Sequence, residues 1–370
     1  MREVEESTLR VRQLIQKLNI IRSKKLTHPH ISKFLPVSKK DMNERGWDYV
    51  DVILFSGDAY IDHPSFGTAV IGRVLESHGY RVAIVPQPNW RDDLRDFKKL
   101  GTPRLFFGIT SGCMDSMVSH YTANKRLRSS DAYTPDGRND MRPDYACYVY
   151  AKIVKELFPE TPVVLGGIEA SLRRLTHYDY WTDRLQPSIL GEVKAELLVY
   201  GMGEKPIVEI AKRLEAGEKI NTITNISQTV YMVEGESKLP EGIRLFSYEE
   251  CLKSKQKFAD NFAKIEEESN KIKANVLLES IGKGTVVVNP PYPPMTGEEI
   301  DASFDLPYTR LPHPRYRSKR ISAYDMVKHS VNIHRGCFGG CSFCTISMHQ
   351  GKHVASRSEE SVLNEVQKVV

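Results

Sequence analysis

A chain of 370 residues, 40% hydrophobic and 27% charged, has the composition of an ordinary folded protein and the length for two domains, which excludes a disordered or fibrous chain. Its formal charge of +5 falls short of the concentrated basic field of a dedicated nucleic-acid binder, although RNA stays open as a substrate. The N-terminus MREVEESTLRVRQLIQKLN is charged rather than signal-like, and no run reaches the roughly 18 apolar residues of a membrane span, so the chain reads as cytoplasmic with no membrane partner.

Residues 1–46 read as a leader: a helix over about 7–22, then the basic, loop-like SKKLTHPHISKFLPVSKKDMNERG. From 47 to 240, short apolar runs alternate with amphipathic segments, the pattern of repeated βα units. The strands are YVDVILF (49–55), RVAIVP (81–86), PRLFFGIT (103–110), PVVLGG (162–167) and AELLVYG (195–201). Helices are predicted over 65–79, 142–159 and from EKPIVEIAKRLEAG. Continuous apolar strands with helices between them predict a Rossmann-like, doubly wound parallel sheet. The polar stretch 111–141 follows the third strand's carboxyl end, the side on which open α/β sheets bind ligands. Residues 241–325 read as a helix (248–273), a short pair of strands, ANVLLES and GTVVVNPPYPP, and a Pro-rich connector. Residues 326–370 begin a further unit, in which a β-prone stretch feeds a cysteine-rich loop.

That loop, HSVNIHRGCFGGCSFCTI, places Cys337, Cys341 and Cys344 at spacings x3 and x2. Six cysteines without an export signal suggest reduced thiols. Three thiolates can hold a [4Fe–4S] cluster while leaving one iron open to a small molecule, whereas four would saturate it. Gly339 and Gly340 let the backbone curl around such a cluster, and Phe343 precedes the last ligand. Zinc, with His334 or His349 completing the set, is the competing reading, but zinc sites favour paired C-x2-C units and the second pair is missing.

The chain resembles the YgiQ-type family of radical SAM proteins through this loop and through FLPVSKKDMNERGWDYVDVILFSGDAYIDHPSFG, MDSMVSHYTANKRLRSSDAYTPDG, VVLGGIEASLRRLTHYDYW and PPYPPMTGEEID. The resemblance implies a [4Fe–4S] cluster on Cys337, Cys341 and Cys344, S-adenosylmethionine on the open iron, a reducing donor of flavodoxin or ferredoxin type, and 5′-deoxyadenosyl radical chemistry. It names no substrate. Members of the family continue into a (β/α) barrel, whereas this chain stops 26 residues after Cys344. The expectation is an incomplete chain with only the first βα unit of a barrel. Two other readings stand beside it: a non-catalytic α/β binding module with a vestigial cluster loop, and a tRNA-modifying enzyme similar to methylthiotransferases.

Weaker signals remain. GGIEAS (166–171) and GMGEKP (201–206) open helices after strands and suit a phosphate or nucleotide tail. Cobalamin is not expected, because Asp62-His63-Pro64-Ser65-Phe66-Gly67 departs from the usual Asp-x-His-x-x-Gly spacing; Asp62 and His63 read as residues shaping the first βα loop. Cys113, Cys147 and Cys251 form a second trio, more readily read as buried structural thiols than as an auxiliary cluster. Lys125, Arg126, Arg128, Arg173 and Arg174, with His177-Tyr178-Asp179-Tyr180-Trp181, mix cations with stacking surfaces suited to an anionic or nucleobase ligand.

Overall fold

The structure, a computed structural model, describes residues 30–235, 239–341 and 343–369; the helix expected over 7–22 lies outside them. Strands β1 (Val52–Ser56), β2 (Val82–Pro86) and β3 (Phe106–Thr110) pair in parallel, with Val52 opposite both Val82 and Phe106. Successive side chains point to opposite faces, so Val52 and Leu54 enter one core while Ile53 and Phe55 enter another. Val70, Val74, Ile207 and Ile210 of helices Gly67–Ser77 and Glu204–Glu215 cover the first face; Tyr150, Ala151 and Val154 of helix Ala146–Leu157 cover the second. A strand covered on both faces has no polar side, hence the unbroken apolar runs.

Strand β4 (Val163–Leu165) follows β3, and β5 (His177–Asp179) and β6 (Arg184–Gln186) form a separate antiparallel hairpin before β7 (Leu197–Val199). Strands β8 (Thr229–Glu234), β9 (Ile243–Arg244), β10 (Leu277–Ile281) and β11 (Gly284–Val288) extend the sheet to nine strands in the order β2-β1-β3-β4-β7-β8-β11-β10-β9. The sheet is therefore mixed α/β with a parallel half, and not parallel throughout: β8 runs antiparallel to β7, and β11 to β8. The strand pair expected inside a helix-and-connector region starting at 241 is the β10–β11 hairpin, and it belongs to this same sheet. Val286 and Val288 enter one core and Val287 the other, so the hairpin is covered on both faces just as β1 is. The helix expected over 248–273 is two helices, Tyr248–Lys253 and Lys255–Ser269, broken at Ser254, whose extended backbone and side chain cap the second.

Glu279 of β10 is buried and accepts a hydrogen bond from the Thr176 amide at 2.7 Å. Burial pushes its carboxyl from the usual 4.5 up to about 7. The folded state thus keeps a proton that the unfolded chain releases, so this contribution is full below the unfolded value and is lost as pH rises through the folded one. Relative to Glu279→Gln, the native chain should lose roughly 3 kcal/mol of stability between those two values. Urea unfolding of both proteins across that window checks this; a constant difference between them would contradict it.

Beyond the sheet, β12 (His334–Arg335) pairs antiparallel with β13 (Ala355–Ser356), and helix Glu359–Val369 follows. The stretch expected to open a barrel is thus this two-residue ladder. No helix among the described residues is long and apolar enough to cross a membrane.

Candidate functional site

Within the sheet β2 lies on one side of β1 and β3 on the other, where the order continues to β4. A crevice follows at the carboxyl ends of such strands. A cavity of about 380 Å³ opens there, floored by Thr68, Thr110, Gly166 and Gly167 and roofed by Asn332, Arg335 and His349. The distant C-terminal segment thus lies across the carboxyl edge of the sheet.

Two anchors hold it. Ahead of the cysteines, Arg335 forms an ion pair with Glu204, the first residue of helix Glu204–Glu215. Behind them, helix Ile346–Gln350 packs on helix Gly167–Leu172, with His349 Nδ1 3.0 Å from Ser171 Oγ. The Ser171 hydroxyl also accepts from the Gly201 amide at 3.1 Å. Half-buried in this contact, the His349 imidazole is pulled down to about 4 by the loss of solvent around it.

Between the anchors the loop projects. Its base is tied by the Cys337 amide donating to the Gly351 carbonyl at 3.0 Å. Cys341 is exposed, and Cys337 and Cys344 are half-buried. A side chain at Gly339 would stand 3.3 Å from Cys337 Sγ and 3.8 Å from Cys341 Sγ, so these two sulfurs converge on a point that glycine leaves open. Gly340 adopts φ +56°, the left-handed turn expected of it. Cys344 joins through its amide, which donates to the Cys341 carbonyl at 3.0 Å. Among the described residues no three His, Cys, Asp or Glu side chains are gathered as a finished metal cage, these three cysteines included. By donor type and by the space at Gly339 the residues would fit a cluster, with the sulfurs drawing together only as it bound, since such sites rarely form ahead of their metal. Phe338 and Phe343 stand 84% and 88% exposed on the same loop.

A buried polar network underlies the crevice. Arg142 is fully buried, pairs with Asp58 and Asp131 at 2.8 Å each, and donates to the Ser111 carbonyl at 2.9 Å. Asp58 in turn accepts from the Cys113 amide at 2.7 Å, and burial raises its carboxyl above the usual range despite Arg142. Glu169 accepts from the amides of Ser116 and Cys147 at 3.0 and 2.8 Å. Arg173 pairs with Asp115. These contacts fix the polar stretch 111–141 against the sheet. Reading along the chain passes over Asp58, Asp131, Arg142 and Glu169; the one local hint is an aspartate set directly after an apolar strand.

The second cysteine trio is dispersed. Cys113 Sγ faces the Ser65 carbonyl at 3.7 Å, Cys147 Sγ the Gly166 carbonyl at 4.0 Å, and Cys251 Sγ the Phe246 carbonyl at 3.8 Å. Burial pushes all three thiols up, Cys251 to about 11, which disfavours the thiolate that a metal requires. His63 is buried, with its imidazole pulled down to about 3, and is not on the cavity wall. Asp62 is committed to Arg73. Of the cation-and-aromatic set, Lys125 lies over Tyr180 at 4.7 Å beside Trp181, whereas Arg173 and Arg174 are buried elsewhere.

Among known proteins, the model of the radical SAM N-terminal family matches residues 34–330, ending ahead of Cys337. A UPF0313 protein of Porphyromonas gingivalis is 65% identical over 345 residues, covering 92% of this chain and 54% of the relative. One from Bacteroides thetaiotaomicron is 62% identical over 353 residues, covering 92% and 57%. The chain spans about half the length of these curated relatives. Among solved structures, the radical S-adenosylmethionine methyltransferase TsrM of Kitasatospora setae, with tryptophan and a SAM analogue bound, aligns at TM-score 0.45 and 18% identity over 86% of this chain and 45% of that one.

Proposed function

Because the chain belongs to the radical SAM N-terminal family, we propose that it is the cluster-bearing part of a radical SAM enzyme, with Cys337, Cys341 and Cys344 as the three ligands of a [4Fe–4S] cluster. Such a cluster supplies an open iron for the amino and carboxyl groups of S-adenosylmethionine and the electron that cleaves it to a 5′-deoxyadenosyl radical. The observation that carries this reading is the convergence of the Cys337 and Cys341 sulfurs on Gly339, in a loop clamped at both ends to the carboxyl edge of the sheet.

The protein's part is to hold the loop in place. Arg335 and His349 fix the two ends of the loop, so the sulfurs keep one bearing relative to the crevice. Phe338 and Phe343, both exposed, give the loop an apolar surface beside the sulfurs. The crevice beneath, with its glycine-lined floor, is the place for the ligand on which the radical acts.

Electron paramagnetic resonance of the reduced, reconstituted chain tests the open iron. Adding S-adenosylmethionine should change the cluster's signal; a signal indifferent to it would mean a saturated cluster or no S-adenosylmethionine site on this chain, and either would contradict the reading.

A further inference from the structure

A second cavity, of about 160 Å³, lies beyond β7 and β8. Its floor is Tyr200, Gly201 and Asn289, its roof Ser347 and His349 of the helix that follows the cysteine loop, and Arg174 stands in its wall. Arg174 is 9% exposed, its guanidinium lies over the Tyr200 ring at 4.9 Å, and Nη1 donates to the Ser171 carbonyl at 2.6 Å. Its buried Nε has no partner.

The other buried arginines all face a carboxylate: Arg73 has Asp62, Arg142 has Asp58 and Asp131, Arg173 has Asp115, and Arg310 and Arg357 share Glu365. Among the described residues Arg174 has none. The remaining cations of this wall are committed as well: Lys205 to Glu299, Lys271 to Glu267 and Glu268, Arg335 to Glu204 and Lys352 to Glu266. The one acidic residue lining the cavity, Glu268, is held by Lys271 and Asn275. A buried charge without a counter-charge is costly, and burial does weaken the hold of Arg174 on its proton. A planar guanidinium with free N–H groups matches the oxygens of a carboxylate or phosphate.

We propose that this cavity is an anion site in which Arg174 binds the carboxylate or phosphate group of a small ligand, against the Tyr200 ring and beneath the helix that follows the cysteine loop. The site needs no iron, so it stands or falls apart from the cluster.

Calorimetric titration of the metal-free chain with sodium phosphate, and separately with sodium acetate, at constant ionic strength tests it. Saturable binding of at least one anion is expected, and which one binds identifies the class of ligand group. Arg174→Met should weaken that binding by roughly tenfold or more, and Ser347→Phe, which fills the cavity from its roof and leaves Arg174 intact, should do the same. No saturable binding of either anion, or binding that survives in either folded variant, would overturn the proposal.

Discussion

Arg142→Leu should destabilise the fold by about 3–5 kcal/mol, the cost of removing one partner from a buried ionic group. The leucine would fill part of the space yet leave Asp58 and Asp131 facing each other without a cation, and leave the Ser111 carbonyl without its donor. Asp58 has its carboxyl pushed up by burial even with Arg142 present, so the pair cannot both stay ionised once the guanidinium is gone. The damage should centre on the 111–141 stretch that these contacts pin to the sheet. Urea unfolding measures the loss, and the double variant with Asp58→Asn should recover part of it, because it removes one of the stranded charges. A loss below about 1 kcal/mol would place the network in the class of ion pairs that contribute little.

Gly336→Ala should abolish most of the chain's iron binding while sparing the sheet. Gly336 sits at φ +93°, and a Cβ there would lie 2.1 Å from the His353 carbonyl oxygen, which is backbone and cannot turn aside. The residue is the hinge where β12 turns into the loop, one position before Cys337. Its displacement would break the hydrogen bond that the Cys337 amide donates to the Gly351 carbonyl and spread the sulfurs. Gly46→Ala is the matched control: Gly46 has φ +68° with nothing within 4 Å of a built Cβ, so it carries only the backbone penalty, on the order of 1 kcal/mol. Iron per chain after anaerobic reconstitution should drop by more than roughly half in Gly336→Ala, as expected when a site loses its geometry, and stay unchanged in Gly46→Ala. Equal iron in the two variants would mean the loop's base does not set the sulfurs.

The parallel half of the sheet was legible because each strand is buried on both faces, and burial on both faces writes an unbroken apolar run such as VILF or VVL. The antiparallel half was not, since β8 alternates from buried to exposed toward its end and β9 is two residues long, too short to show any period. The β10–β11 pair was visible as strands, yet nothing local says which sheet a hairpin will join. The cysteine loop stands out as a candidate in the sequence because its three cysteines fall within eight residues, so their spacing alone suggests the chemistry. The anchors were not: Arg335 meets Glu204 across 131 positions and His349 meets Ser171 across 178. Likewise Arg174, read together with Arg173 as one basic patch, is separated from it by burial, one arginine taking Asp115 and the other turning to Tyr200.

The central claim is that Cys337, Cys341 and Cys344 carry the metal. Iron and acid-labile sulfide per chain, measured after anaerobic reconstitution of the native protein and of the variant with all three changed to alanine, test it most directly. About four irons with matching sulfide in the native chain and almost none in the variant are expected of one cluster on three thiolates. Iron retained by the variant would place the metal elsewhere, and iron absent from both would contradict the claim outright.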